Sequence, residues 1–523
     1  MPTRQTRRWS RNVLAGVVLV LLVLLSAVNY RRITGPIGKL AEGEYSFVDF
    51  VDRMQRGYVS GAFIPKNDFL NLGGLFARAT GRRTLNHVVK LEGGTLSAPV
   101  EEMDQAPMAE GVIALSDYLG EEDIPFLYVQ IPYKESVDGR SFPEGIDSYA
   151  NAGADALLSR LSAGGVETLD LRPVLSQTPE MLEQYFYATD HHWNADGAFV
   201  AFGQILGRLD GMFPAGGVDV TWAQADRWQR HTIDHWFLGS RGKGVGIYFA
   251  GTDPLIWYTP QFETEMSCAV LNHGWFFRGD FADANIRPRY IEEKHYFDDS
   301  AYGVYIGGDY PLVQHRNAGA PSPLKILLLK DSFTLPLQAY LSTAFQEVDV
   351  IDPRYFSECG VAEYAARTKP DVVLLAVNPD VMPDTAYHDF GVDAMTSWPG
   401  AEADAEVVMA WDVEVEASDN DYNFASWPLE GGGVYRLTFE GVDVREGEPQ
   451  AVGLRLYDAT TQTELENMMF DVAYCRATEA YTWTFRTPDT GDDLRVLFYA
   501  GTYGATAGTG VIYRDVTLER YGS

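Results

Sequence analysis

Residues able to do chemistry are concentrated in positions 187–199, which have the sequence Tyr-Ala-Thr-Asp-His-His-Trp-Asn-Ala-Asp-Gly-Ala-Phe. Asn194 is a good helix N-cap and an apolar run follows it, so the segment predicts a loop that enters a helix. Asp190 stands two residues before His192, close enough to fix the tautomer that a histidine needs as a general base. A metal-binding pair or a capping cluster would use the same residue types. Adjacent histidines point in different directions in an extended chain, however, so one metal rarely uses both.

A nucleophile for this base is predicted at Ser332. The apolar run over 325–330 predicts a buried strand, and Ser332 follows its end by two residues, just before a predicted helix. A strand-to-helix turn is the geometry that a nucleophilic serine needs, and helix N-terminal amides can stabilise an oxyanion. Alone, Ser332 could equally be a helix cap. Together with Asp190 and His192 it predicts a Ser-His-Asp triad, in which the Asp-x-His spacing favours His192 over His191 as the base.

Strands and helices alternate through the middle of the chain, which predicts an α/β fold with a parallel sheet covered on both faces. Strands are predicted over 125–131, 166–171, 325–330, 348–351 and 372–377, with helices over 146–163, 335–345 and 361–367. Ligands in such sheets gather at the carboxyl ends of the strands. Arg354, Asn378 and Lys134 each follow a predicted strand, so we expect them to face the oxyanion or the substrate. Lys134 could also be a solvated surface lysine.

The Asp-His-His-Trp segment at 190–193 resembles the signature of the DHHW protein family. That family is similar to the periplasmic alginate O-acetyltransferases, which belong to the SGNH-hydrolase-like superfamily. Three further motifs agree in order, at 302–308, 330–333 and 350–356, and the resemblance covers roughly residues 40–400. Ordinary SGNH hydrolases place the acid–histidine pair late in the chain, whereas here it precedes the serine. Chain order is free to vary because a triad is defined by geometry.

The resemblance implies an SGNH-like three-layer fold and an extracytoplasmic O-acetyltransferase with no cofactor and no metal. The acyl group would be acetyl, carried on Ser332, and the acceptor would be a hydroxyl of an exopolysaccharide or cell-wall glycan. Gly308 lies in a family motif and would offer a backbone amide to the oxyanion or substrate. A membrane-bound acyltransferase would supply the acetyl groups. With water as acceptor the same triad gives a carbohydrate acetylesterase. A non-catalytic glycan-binding scaffold is a further alternative, but it would not need the three triad residues together.

Composition limits the functional class. The 523 residues carry a formal charge of −32, which disfavours nucleic acid as a partner, and 46% hydrophobic residues, which allow a large core. The three cysteines, Cys268, Cys359 and Cys475, show no Cys-x-x-Cys spacing, so neither a structural zinc site nor a disulfide framework is predicted.

The amino terminus predicts a single transmembrane signal anchor over 13–30. Four arginines precede an apolar run, and residues 12–30 would span roughly 28 Å as a helix, close to the thickness of the hydrocarbon core. The basic flank places residues 1–12 in the cytoplasm and the rest of the chain outside. A cleaved signal peptide is the alternative, but Leu25 would occupy a position that requires a small residue.

Two further units are predicted around the catalytic region of residues 40–400. Residues 207–324, rich in aromatic residues and glycine, interrupt the alternation and are interpreted as an insertion that lines the site. Composition changes near residue 402, and alternating strands over 434–439, 452–457 and 481–485 predict a β-sandwich over 405–523. This pattern resembles the jelly-roll carbohydrate-binding modules of such acetyltransferases, and a purely structural sandwich is the alternative.

Overall fold

The computed structural model describes Val20, Val23 and residues 66–521, apart from 139–140, 358, 393–403, 420–422, 474–480, 490, 492 and 502–506. The predicted anchor therefore lies outside the described residues except for Val20 and Val23, and so do Cys475 and the predicted boundary near residue 402. Within the part of the chain that the structure describes, no helix is long and apolar enough to cross a membrane.

Between Lys66 and Val377 the described residues form twelve α-helices and thirteen strands. The helices are α1 Lys66–Ala79, α2 Ala106–Glu121, α3 Ala150–Ala163, α4 Arg172–Leu175, α5 Pro179–Tyr185, α6 Ala195–Met212, α7 Ser240–Val245, α8 Ile247–Ala250, α9 Phe281–Asn285, α10 Arg289–Glu292, α11 Leu335–Ala344 and α12 Val361–Thr368. The strands are β1 Thr84–Leu85, β2 Val88–Lys90, β3 Leu96–Ser97, β4 Phe126–Gln130, β5 Thr168–Asp170, β6 Trp228–Phe237, β7 Asp253–Pro260, β8 Met266–Val270, β9 Trp275–Gly279, β10 Leu312–Arg316, β11 Ser322–Lys330, β12 Phe345–Ile351 and β13 Val372–Val377.

One eight-stranded sheet organises this region, in the order β5-β4-β13-β11-β12-β10-β8-β9. The five predicted strands are all present and pair in parallel, from β5 to β12. The prediction of a purely parallel sheet was wrong, because β10, β8 and β9 extend it in antiparallel fashion. These strands come from residues 207–324, which therefore contribute to the sheet itself. Buried Gln314 and His315 in β10 conceal the apolar pattern that would have predicted a central strand.

Helices cover both faces of the sheet, which gives an SGNH-like α/β domain. On one face α6 and α11 pack over a core that includes Trp193, Phe202 and Tyr340, and on the other α2, α3 and α12 pack over Leu115, Leu157 and Ala365. Every residue of α11 is buried, as expected for a helix held between a sheet and other helices.

The carboxy-terminal region is rich in β-structure. Its strands are β14 Ala405–Ala410, β15 Val413–Val415, β16 Phe424–Leu429, β17 Val434–Phe439, β18 Gly441–Glu446, β19 Ala451–Asp458, β20 Thr463–Asp471, β21 Tyr481–Arg486, β22 Leu494–Tyr499, β23 Gly510–Arg514 and β24 Thr517–Tyr521. They form three antiparallel sheets, β14-β24-β17-β21, β15-β23-β18 and β16-β22-β19-β20, around a shared apolar core. The jelly-roll topology and a carbohydrate-binding role stay predictions.

This region packs directly against the α/β domain. Arg367 of α12 forms an ion pair with Glu466, and its Nε donates to the carbonyl of Thr484 at 2.6 Å. The side-chain amide of Asn467 donates to the carbonyl of Leu271 at 3.3 Å. The contacts join α12 and the β8–β9 turn to strands β20 and β21, so the two regions share a polar interface.

Candidate active site

The loop between α5 and α6 carries the predicted acid and base. One carboxylate oxygen of Asp190 accepts hydrogen bonds from the backbone amide of His192, at 3.0 Å, and from its ring Nδ1, at 2.5 Å. The other oxygen accepts from the backbone amide of Ser240 at 2.6 Å. Burial alone would raise the pKa of Asp190, but the adjacent His192, through its ring and its backbone amide, holds that pKa well below its usual range. An ionised Asp190 keeps the proton on Nδ1, which leaves Nε2 of His192 free to accept one.

Ser332 lies directly in front of that nitrogen, with Oγ 2.7 Å from Nε2 of His192. The serine opens a 3-10 turn that follows β11 and precedes α11, and it is partly exposed. The carboxylate of the preceding Asp331 accepts from the amides of Phe333, at 2.9 Å, and Asn378, at 2.7 Å, which ties the turn to the end of β13. Burial raises the pKa of Asp331 to about 6. The structure thus brings the three residues predicted for a triad into hydrogen-bonding contact.

Two aromatic side chains join the histidine loop to the serine turn. The indole of Trp193 and the hydroxyl of Tyr302 both donate to the carbonyl of Phe333, each at 2.7 Å. The ring of Tyr302 also stacks on His192, with centroids 3.9 Å apart and planes 8° from parallel. Trp193 is fully buried. The tryptophan that follows the two histidines therefore fixes the position of the nucleophile relative to the base.

Two buried charges hold the loop from behind. The ammonium of Lys134 donates to the carbonyls of Asp190, at 2.7 Å, and Ala188, at 3.1 Å, and also to that of Tyr187. Asp253 accepts from the amides of Ala188 and Thr189, both at 2.7 Å, and from the Thr189 hydroxyl at 2.6 Å. Lys134 is 1% exposed, and burial lowers its pKa to about 7. Its donors point at backbone carbonyls, so we interpret Lys134 as a support of the loop, neither a solvated lysine nor a substrate-binding cation.

Of the other residues predicted to bind substrate, Asn378 is buried and Arg354 is partly exposed. Asn378 is buried, and its side chain donates to the carbonyl of Pro132 at 2.7 Å and accepts from the amide of Asp380 at 3.1 Å, so it acts as a tether between strand ends. Arg354 binds Asp352 through Nε and Nη2, at 2.8 and 2.6 Å, and remains partly exposed at the same edge. Arg354 and Ser332 follow neighbouring parallel strands, β12 and β11, so both lie at the carboxyl edge of the sheet.

His191 lies beside the base and has a different partner. Its Nδ1 is 2.7 Å from the hydroxyl of Ser240, and its ring centroid is 3.7 Å from that of His192. Burial, together with the charge of His192, lowers the pKa of His191 to about 3, so its ring is neutral at ordinary pH. Gly308 lies in a partly exposed turn beside Tyr310, where the preceding Gly307 adopts a φ of 107° that favours glycine.

Comparison with known proteins tests the family resemblance. Residues 92–216 match the family model of the SGNH hydrolase-like domain of the acetyltransferase AlgX. The match includes Asp190 and His192, and it confirms the resemblance to the alginate O-acetyltransferases. No curated protein matches the chain significantly.

Several solved structures are similar to the chain. PatB1 from Bacillus cereus is 22% identical over 58% of this chain and 99% of that chain, with a TM-score of 0.49. A DHHW family protein from Eubacterium siraeum is 18% identical over 60% of this chain and 98% of its own, with a TM-score of 0.45. AlgX from Pseudomonas aeruginosa is 12% identical over 83% and 94%, with a TM-score of 0.34.

The alternative of a metal site at the histidine pair fits the hydrogen bonding poorly. Asp190, His191 and His192 each offer a ligand atom, and these atoms lie within 4.8 Å of one another. Both oxygens of Asp190 already accept hydrogen bonds, however, and both ring nitrogens of His192 are occupied by Asp190 and Ser332. A metal would have to replace those bonds, so the donor set suits proton transfer better than metal binding.

Three contributors to the site were missed by sequence reasoning: Asp253, Tyr302 and the backbone amide of Ser240. All three lie within residues 207–324 and reach the loop only through the fold. Tyr302 begins the family motif at 302–308, which could have indicated that it lies in the site. Nothing in the sequence around Asp253 or Ser240 indicates contact with residues 188–192.

We expect Asp253→Asn to lower the free energy of unfolding by roughly 3 kcal/mol, because an amide cannot accept all three hydrogen bonds and Lys134 loses a nearby opposite charge. The loosened loop should also lower kcat on a small acetyl ester at least tenfold with little change in KM. Denaturant unfolding and steady-state kinetics measure the two effects. Asp226→Asn, at an exposed position, is the control. Wild-type stability and kcat in Asp253→Asn would refute the supporting role.

Proposed function

We propose that the protein is an O-acetyltransferase that transfers an acetyl group to hydroxyls of an exopolysaccharide or cell-wall glycan through an acetyl-serine intermediate on Ser332. The observation that carries the proposal is the 2.7 Å contact between Nε2 of His192 and Oγ of Ser332, with Nδ1 held by Asp190. The match of residues 92–216 to the AlgX acetyltransferase domain supports acetyl as the group transferred.

In the first half-reaction Nε2 of His192 takes the proton of the Ser332 hydroxyl as Oγ attacks the carbonyl carbon of the acetyl donor. The imidazolium, stabilised by Asp190, then returns that proton to the departing donor oxygen, and the donor–acyl bond breaks. Arg354 and the backbone amides of Ser332 and Gly308 are the proposed donors to the oxyanion. In the second half-reaction a sugar hydroxyl gives its proton to His192 and attacks the acetyl carbon. Ser332 leaves with the returned proton, so the enzyme is restored.

The transferase and esterase alternatives differ only in the acceptor. We expect that addition of an oligosaccharide to enzyme and a chromogenic acetate diverts acetyl from water to sugar, measured by mass spectrometry as a gain of one acetyl group on the oligosaccharide. Ser332→Ala should produce no acetylated sugar. If the ester is hydrolysed but no acceptor in a panel of neutral and anionic oligosaccharides gains acetyl, the protein is an esterase.

We also propose that residues 13–30 anchor the protein in the membrane with the catalytic region outside, facing a membrane-bound acyltransferase that supplies acetyl. The basic flank before the apolar run supports this orientation. The full chain is expected to stay in the membrane fraction after a carbonate wash and to be digested by protease added outside the cell. Recovery of soluble protein that begins near Val28 would instead indicate a cleaved signal peptide.

A further inference from the structure

An aromatic cluster of Trp275, His273 and Tyr310 lies at the turn between β8 and β9 and before β10. The side chain of Trp275 stacks on His273, with ring centroids 4.5 Å apart, and Tyr310 meets both rings edge-on, at 5.8 and 5.2 Å. Trp275 is nevertheless 46% exposed. Its indole therefore has a fixed orientation and an accessible surface.

Strand alternation explains why Trp275 does not belong to the core. Its neighbour Phe276 points to the other face of the sheet, where it packs against the apolar cluster that also includes Met469 of the carboxy-terminal region. Phe277 lies on the face of Trp275, but its ring is covered by the guanidinium of Arg287 at 3.7 Å. Of the three aromatic residues of β9, Trp275, at the start of the strand, is the most exposed, and Phe276 and Phe277 are partly buried.

The strand registers place this cluster on the same edge of the sheet as Ser332. Leu328 pairs with Val350, Val350 with Val313, Val313 with Val270, and Val270 with Trp275. Trp275 is thus four strands from β11, roughly 19 Å across the sheet at the usual spacing of about 4.8 Å. Because β10 and β8 run antiparallel to their neighbours, the start of β10 and the end of β8 lie at the carboxyl edge of the parallel strands, where Ser332 lies.

Charged and aromatic side chains that can bind a sugar chain lie between Ser332 and Trp275. Arg354 follows β12, and Asp309 precedes β10, with Nη2 of Arg354 3.5 Å from the carboxylate of Asp309. Tyr355 is 52% exposed beside Arg354. Planar charged groups can bind hydroxyls through paired hydrogen bonds, and aromatic faces can cover the apolar C–H face of a sugar ring.

We propose that the edge from Ser332 across Arg354 and Tyr310 to Trp275 binds an extended glycan chain, with Trp275 under a sugar ring several units away from the ring that is acetylated. The inference rests on the proposed function and deepens it, because it assigns the polymeric acceptor a second binding site at Trp275, away from Ser332. A single sugar ring is far shorter than the interval, so a short acceptor at Ser332 cannot reach Trp275. Because Trp275 already stacks on His273, its indole loses little conformational entropy when a sugar ring binds to it.

The test measures kcat/KM for acetyl transfer to ladders of cello-, chito- and mannuronate-oligosaccharides, from disaccharide to hexasaccharide. In the wild type the hexasaccharide of an accepted ladder should exceed its disaccharide by roughly 10- to 30-fold, as expected when one aromatic anchor is added. Trp275→Ala should bring that ratio close to one, mainly through KM, and Trp275→Tyr should restore most of it. Tyr248→Ala, at a position that is 51% exposed on α8, is the matched control and should keep the wild-type ratio.

The possible failures are distinguishable. If no ladder gains acetyl although the chromogenic ester is hydrolysed, the transferase proposal is wrong, and the polymer inference that depends on it falls as well. If acetyl is transferred but the hexasaccharide and disaccharide react alike, the proposed glycan-binding edge is wrong while the proposed function stands. The same conclusion follows if Trp275→Ala keeps the wild-type ratio.

Discussion

Ser332→Ala is expected to lower kcat on a small chromogenic acetate by roughly 10⁴- to 10⁶-fold, because nucleophile and base act as a unit. His192→Ala should cost a similar factor, and the double variant should be little worse than the worse single one. Ser332→Ala should keep the wild-type unfolding transition, since Ser332 is partly exposed at the open edge of the sheet. His192→Ala should stay folded but unfold more easily, because it leaves the buried Asp190 without its ring partner. Steady-state kinetics and circular dichroism measure these outcomes.

The matched control for this result is Ser240→Ala. Its hydroxyl contacts His191 and its backbone amide contacts Asp190, and the substitution leaves that amide in place. We expect a loss of less than about tenfold, as for a neutral hydrogen bond outside the reacting groups. If Ser332→Ala keeps wild-type activity and Ser240→Ala loses it, the nucleophile is Ser240 and the assigned triad is wrong.

Gly239→Ala is the second substitution with a large expected effect. A Cβ atom at this position would lie 2.3 Å from the Cβ of Asp190 and 2.4 Å from its Cα, so the histidine loop would have to move. Displacement of a catalytic group by about 1 Å can cost on the order of 100-fold in rate, and we expect a loss of kcat of that size. Gly244→Ala, in the short helix α7 that follows Gly239, places its Cβ in open space and should retain wild-type kcat. Equal kcat in the two variants would mean that the close approach of Gly239 is dispensable.

Local signals predicted the five parallel strands and the three residues that the structure brings into hydrogen-bonding contact. The N-cap at Asn194 is confirmed, since its side chain accepts from the amide of Gly197 at 3.0 Å, and β13 has the predicted bounds. The spacing of Asp190 and His192 and the strand-end position of Ser332 rest on short-range rules, which is why they could be recognised without the fold.

Strand-end position predicts location but not the direction of a side chain. Lys134 and Asn378 do lie at the predicted edge, yet both turn inward and bind backbone groups. Only the folded chain decides which partner a polar group meets, and a buried ammonium or amide must meet one. The antiparallel strands of the mixed sheet were not predicted either. β10 pairs with strands that are distant in sequence, and it carries the buried polar side chains of Gln314 and His315.

The interface with the carboxy-terminal region has a consequence for experiments on the separate parts. Removing that region would leave Arg367 without Glu466 and take Met468 and Met469 away from the apolar cluster that they share with the α/β domain. Site variants are therefore best compared in the full chain, where a change in activity reports on the active site and not on a lost domain contact.

Ser332 is proposed to carry the acetyl group before it is transferred to a sugar hydroxyl. The most direct test measures the mass of the proteolytic peptide that contains Ser332. Enzyme mixed with a chromogenic acetate is quenched at successive times, digested and analysed by mass spectrometry, with and without an oligosaccharide acceptor. We expect an acetyl group on the peptide that contains Ser332 while the donor is in excess. When the oligosaccharide is present, the peptide should lose that acetyl group faster, and the oligosaccharide should gain the same amount of acetyl. Turnover with no acetyl on that peptide at any time, or acetyl confined to another residue, would contradict the proposal.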